Sequence, residues 1–165
     1  MAETKVSISN QALTKCGAAT IGSFTDGSHE ANVCSTMYDN VRNGLLYYTF
    51  WNFAMTNKAL NRLNKTPTNK SYLYVHSLPG DVVRIKGFFD SNGMYLENYT
   101  VEGAEVFSNE SALNIEYVKN IVEDDMPVFF IETLISKVAL EINEEIVSRS
   151  TYESHVINPG DRVEI

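Results

Sequence analysis

Two thiols, three imidazoles and one run of acids are the groups in this chain best suited to chemistry: Cys16 and Cys34; His29, His76 and His155; Glu123, Asp124 and Asp125. A cysteine becomes a nucleophile when a base sits beside it and a third group orients that base. His29 or His76 could serve Cys34, but neither is accompanied by an orienting partner. Both cysteines fall at apolar positions of helical patterns, so small reduced core residues are the plainer reading. A disulfide between two helices would need an oxidising compartment, and no secretion signal points to one. Asp26, Ser28 and His29 have the residue types of a catalytic triad, yet adjacency in sequence does not make triad geometry. Turn formation and helix capping use the same residues. The histidines lie in three different elements, which disfavours a shared zinc ion. Glu123 to Asp125 could face a hard cation, but the spacing of a calcium loop is missing, and acids at a helix start have their own electrostatic reason. Tyr72 and Tyr74 fall on one strand face and could stack nucleic-acid bases; with Lys70 as their basic neighbour, ordinary packing is the plainer reading. There is no phosphate-binding loop, dinucleotide glycine fingerprint or zinc-binding helix motif. The expectation is a protein that is no enzyme, with no catalytic, cofactor-binding or metal residue and no cofactor.

The chain of 165 residues suits one domain, or one domain with an insertion. Its 44% hydrophobic and 21% charged content is ordinary for a globular protein with a proper core. No run approaches the ~20 apolar residues of a membrane span, and the first residues do not read as a signal peptide. The net charge is −8, with 13 basic residues against 21 acidic ones and no basic block. Binding to DNA by charge neutralisation is disfavoured by that balance.

Hydrophobic spacing gives the elements that would position these residues. Residues 5–17 read as a helix through Ile8, Ala12, Leu13 and Cys16, with Gly17 as its stop. Ser28 reads as the N-cap of a longer helix. Ala31, Cys34, Tyr38, Val41, Leu45 and Tyr48 make its stripe. That helix leads into an aromatic run, Tyr47, Tyr48, Phe50 and Trp51, followed by Phe53. From residue 53 to about 120 the period shortens. Extended segments at 53–56, 72–75, 82–89, 94–101, 104–107 and 113–118 are separated by turns at 78–81, 90–93 and 102–103, which suggests an antiparallel meander. Gly80 is expected to be free for positive φ. Met126-Pro127 then opens a last helix, with Ile131, Leu134, Ile135, Val138, Ala139, Ile142 and Ile146 on one face. The fold class expected is α+β: a helical bundle of N- and C-terminal helices with an inserted antiparallel β-module. Residues 1–149 form the domain, helical over about 5–50 and 126–148 and β over about 53–120. Residues 150–165 form an extended tail.

The ordered series Asn10, Ala12-Leu13, Gly17-Ala18, Asp26, Ser28, Tyr38-Asp39, Arg42, Leu45-Leu46, Trp51-Asn52-Phe53-Ala54 and Leu78-Pro79-Gly80-Asp81 resembles the tail tubular protein A family of short-tailed bacteriophages, over roughly residues 6–147. The resemblance implies a structural head-to-tail adaptor of the virion, assembled in the host bacterial cytoplasm. Its copies would form a ring, twelve-fold in the virion, between portal protein and tail nozzle protein, and genome DNA would cross the lumen without sequence-specific binding or a membrane partner. An acidic ring lumen would let DNA slide. Tyr48, Trp51, Phe53, Leu78, Pro79 and Asp81 would be the junction between bundle and β-module, and Trp51→Ala would cost ~3–5 kcal/mol if the indole is fully buried. The family usually continues into another helix. Here the tail, through Tyr152, Val156, Ile157, Val163 and Ile165, would instead dock on a neighbour by strand addition. Another phage neck or tail-completion protein stays open as an alternative, as does a small ligand-binding domain.

Overall fold

A computed structural model describes residues 3–154, and of those after residue 144 the backbone alone. Among the described residues the chain is mixed α and β, with three α-helices and two antiparallel sheets. It divides into two compact units. One holds residues 1–42 with 127–165, the other residues 43–126.

The first unit carries α1 (Lys5–Lys15), the first part of α2 (His29–Tyr48) and α3 (Val128–Ser154). Thr4 starts α1 with a reciprocal capping box: its hydroxyl accepts from the Ser7 amide, and the Ser7 hydroxyl accepts from the Thr4 amide. The helix stops at Gly17, whose φ of 71° suits a residue without a side chain. Asp26 organises the next start. Its carboxylate accepts from the Ser28 amide and hydroxyl, while the Ser28 oxygen accepts from the Ala31 amide. α1 packs on α3, where the Cys16 thiol donates to the Ala139 carbonyl and Lys15 reaches the Ser136 hydroxyl. Phe130, Leu134, Ile135, Val138 and Ile142 form the buried face of α3.

Two expectations for these helices need correction. The buried stripe of α2 runs Ala31, Cys34, Tyr38, Arg42, Leu46. Tyr48 ends the helix 81% exposed. Steps of three and four from Tyr38 reach Val41 or Arg42 equally well, and hydropathy favours valine. Arg42 is buried instead, with its guanidinium beside Asp39 at 3.7 Å. The second correction concerns the tail. α3 continues to Ser154, so residues 150–154 are helical where an extended tail was expected.

The second unit is β-rich. Residues Asn52–Ala54 make a 3-10 turn after α2, followed by β1 (Met55–Ala59), β2 (Asn61–Leu63), β3 (Tyr74–Ser77), β4 (Val82–Phe89), β5 (Tyr99–Glu102), β6 (Glu105–Ser108) and β7 (Asn114–Lys119). The strands are not a meander. One sheet has the order β1-β7-β4 and the other β2-β3-β6-β5. Strand spacing alone does not reveal that β4 pairs with β7 rather than β3, because pairing is decided by which faces must be buried. The core of this unit is Phe88, Val106, Leu113, Ile115 and Tyr117, drawn from both sheets, with Leu60, Leu78, Val82, Ile85, Leu96 and Tyr99 packed around it. The Phe88 and Tyr99 rings meet edge-on at 4.7 Å.

The turn Leu78-Pro79-Gly80-Asp81 carries the chain from one sheet to the other. The Leu78 amide donates to the Ala104 carbonyl at 2.8 Å on one side, and the Asn120 amide donates to the Asp81 carbonyl at 2.7 Å on the other. Gly80 keeps a negative φ, contrary to expectation; among the described residues the glycines with positive φ are Gly17, Gly27, Gly93 and Gly103.

Candidate interaction site

The end of α2 has no glycine to close it. A helix C-terminus leaves carbonyls without intrahelical partners, and here side chains from elsewhere in the 43–126 unit supply the donors. The Trp51 indole N–H donates to the Leu45 carbonyl at 2.8 Å. Arg84 Nη1, arriving from β4, donates to the Tyr47 and Tyr48 carbonyls at 3.0 Å each. A cation at this end also meets the negative pole of the helix dipole. The same guanidinium lies 4.3 Å from the Phe50 ring centre and 5.3 Å from that of Tyr47, within cation–π range.

The result is an exposed aromatic edge whose backbone is bonded to Arg84. Residues 47–50 are exposed in succession, with Tyr47 at 57%, Tyr48 at 81% and Phe50 at 37%. Beside it runs an open groove of about 460 Å³ lined by Asn43, Gly44, Tyr47, Val82, Val83 and Asn120 together with Gly80 and Asp81 of the turn. Of the lining residues, Asp81 is held by the buried Tyr117, whose hydroxyl donates to its carboxylate at 3.0 Å. Burial first, and then the negative Asp81, push the Tyr117 phenol up to about 12.

The residues expected at a junction all fall in this unit. Trp51 and Phe53 are half-buried with tilted rings 5.8 Å apart, so the condition of full burial set for the Trp51→Ala cost is not met. Leu78 joins the core and Asp81 holds Tyr117. Tyr152 lies on the backbone of α3, while Val156, Ile157, Val163 and Ile165 lie outside the described residues.

The groups suited to chemistry are engaged elsewhere. Cys34 is fully buried and Cys16 half-buried, and burial pushes both thiols up. The Ser28 hydroxyl is given to Asp26 rather than to His29, which is exposed; Asp26 is held low by the Ser28 hydroxyl and by backbone amides. His76 is fully buried in β3, opposite Arg62 and Val106. Burial pushes its imidazole down, the Ser111 backbone pulls the other way, and the Arg62 charge adds to the lowering. Tyr72 is spent on Thr100 and Asn98, and the guanidinium of Arg62 covers the Tyr74 ring at 5.0 Å. Glu123, Asp124 and Asp125 form one 3-10 turn. Among the described residues, no group of three His, Cys, Asp or Glu side chains gathers for a metal ion. No described helix is long and apolar enough to cross a membrane.

Two features were not legible in the sequence. One is Arg84 as the cap of α2, because nothing local ties residue 84 to residue 48. The other is a polar cluster across β4 and β7. Glu116 accepts from the Tyr95 hydroxyl and from Lys86, the latter at 3.1 Å. These bonds hold the Glu116 carboxyl low and raise Lys86 and Tyr95. The Tyr95 ring lies directly over Gly87, where a Cβ would come within 2.9 Å of it.

A model of the ThiS family, ubiquitin-like sulfur carriers of the β-grasp fold, matches residues 97–165, less than half of the chain. A search of curated proteins returns no match. The ThiS match overturns the resemblance to the tail tubular protein A family, which no family match supports. The head-to-tail adaptor function and the virion location fall with that resemblance. So does the phage vocabulary of portal, nozzle and DNA ejection attached to it. The matched residues run through β5, β6, β7 and α3, and so through both compact units.

Proposed function

We propose that this chain is a non-catalytic protein that assembles with further copies of itself through the aromatic edge at Tyr47, Tyr48 and Phe50. The observation that carries the proposal is the exposure of three aromatic side chains on four successive residues, beside a guanidinium bonded to the helix end. Clustered exposed aromatics mark association surfaces, and the Arg84 guanidinium packed against the Tyr47 and Phe50 rings restricts those two side chains before binding. The occupant we propose is a second copy. The net charge of −8 opposes contact between copies, so the contact proposed is the aromatic edge beside the Arg84 cation and not the acidic surface. A role without catalysis is supported by the nucleophiles themselves: two thiols raised by burial, a serine hydroxyl given to Asp26 and an enclosed imidazole. We read α1, α2 and α3 as a bundle into which the β-rich unit is inserted in sequence.

Light-scattering mass measured against concentration and salt tests the proposal. The mass should rise with concentration and rise further with salt, since salt screens the repulsion that opposes contact. Tyr48→Ser and Phe50→Ser should hold the chain at monomer mass with its circular dichroism unchanged.

A second reading is favoured by the family match. A sulfur carrier must hold sulfur on a thiol or on an activated carboxyl group. Residues 97–165 contain no cysteine, so carriage confined to the matched residues would use a carboxyl. Sulfur added to the chain as isolated from cells, mapped by mass spectrometry to residues 97–165, would favour this reading over the first.

A further inference from the structure

The hairpin after β4 closes through Asp90-Ser91-Asn92-Gly93-Met94. The Gly93 amide donates to the Asp90 carbonyl at 3.2 Å and the Asp90 amide to the Met94 carbonyl at 3.0 Å. Gly93 has a φ of 81°, so this is a three-residue hairpin loop with glycine at the left-handed position. Residues 91–95 are all exposed. We propose that Asn92–Gly93 is a site of spontaneous covalent modification by deamidation, and that Asp90 controls its rate.

The chemistry follows from the residue pair. The Gly93 backbone nitrogen attacks Asn92 Cγ, forming a five-membered imide. The Cγ–Nδ2 bond breaks, and Nδ2 leaves as ammonia with the amide proton. Solvent water then opens the imide at one of its two carbonyls. Opening at Cγ leaves aspartate in an ordinary backbone, and opening at the backbone carbonyl leaves isoaspartate, with the chain routed through the side chain. Nothing is oxidised or reduced. The step needs a following residue without a Cβ to obstruct the ring, an exposed amide and freedom to rotate.

The chain has a second such pair, Asn43–Gly44, also exposed. It lies inside α2, where the glycine nitrogen is committed to the helix and the helical backbone holds it away from Cγ. At Asn92 the Gly93 nitrogen is held only by a turn bond to the Asp90 carbonyl at 3.2 Å, and the Asn92 side chain is held by the Asp90 carboxylate. One Asp90 carboxylate oxygen accepts from the Asn92 amide at 2.8 Å and the Met94 amide at 2.9 Å, and the other accepts from Asn92 Nδ2 at 3.2 Å. Without the Asp90 carboxylate, the Asn92 side chain and its own amide gain freedom, which lets Cγ rotate toward the Gly93 nitrogen. Conversion to isoaspartate would lengthen the backbone by one carbon inside the turn and misalign the Phe89–Tyr95 bridge beyond it.

Peptide mapping tests this on the intact folded chain, aged at mildly alkaline pH beside a sample aged in urea. Aspartate and isoaspartate should accumulate at position 92 and not at 43 in the folded chain, and at both positions in urea. Asp90→Ala should speed conversion at 92 in the folded chain several-fold and leave the rate in urea unchanged. Equal or greater conversion at Asn43 in the folded chain would overturn the site. An Asp90→Ala rate no faster than wild type would overturn the control by Asp90.

Discussion

Arg84 caps a helix to which it does not belong. It combines two carbonyl bonds with two ring contacts at the end of α2. Arg84→Ala is expected to cost ~1–3 kcal/mol, because two helix carbonyls lose a charged donor, read as a lowered urea midpoint with unchanged slope. Arg84→Lys should recover only part of this, since an ammonium cannot lie flat on Phe50 while bonding both carbonyls. His76 makes a pH prediction. Its folded pKa is depressed by burial, so the stability tied to its neutral form is complete above the unfolded value of about 6.5. Below that pH the unfolded chain takes up a proton that the folded one refuses, and stability is lost as pH falls toward the folded value. Arg62 is the charged group opposite it and would oppose that proton further. The urea midpoint should therefore drop between about pH 7 and pH 5, and His76→Leu should flatten the part of the drop that belongs to this group. An equal drop in His76→Leu would assign it to other groups.

Elements were legible where their signals are local. Ser28, Gly17, Pro127 and the Leu78–Asp81 turn all mark boundaries that the structure keeps, because caps and turns are made by neighbours in sequence. Strand partnership was not legible, since β4 joins β7 through a pairing that no local pattern encodes. One of the two irregularities in that pairing falls at Gly87. β4 shifts register between Ile85 and Gly87, and the Tyr95 ring crosses the strand there. Gly87→Ala should destabilise the protein by ~1–3 kcal/mol through this overlap. Combining it with Tyr95→Ala should cost less than the two single changes added together, by the coupling expected of residues in contact. Strict additivity in thermal or urea unfolding would show that the ring moves aside freely. The α2 stripe shows a different limit. A hydropathy pattern places Val41 and Tyr48 inward, whereas the helix buries Arg42 and Leu46 and ends with Tyr48 in solvent.

For the whole molecule, hydrophobic period was a sounder guide than resemblance. The mixed fold with a β-rich middle was readable from the change of period near residue 53 and back near 126, whereas the compact unit at 43–126 begins inside α2, where no change of period marks it. The ordered motifs from Asn10 to Asp81 suggested a family that the ThiS match at 97–165 overturns. Many of those motif residues have local structural reasons, in caps, turns and core positions, and such reasons recur in unrelated proteins. The aromatic edge gained its meaning from the structure, because only there do Tyr47 and Phe50 meet Arg84. The most direct test of self-association through that edge is the mass of the wild-type chain beside Tyr48→Ser, over a range of concentration at low and high salt. The account predicts a wild-type mass that climbs above the monomer and climbs further with salt, and a variant that stays monomeric. A wild-type chain that remains monomeric under every condition, or a variant that assembles as readily, would contradict it.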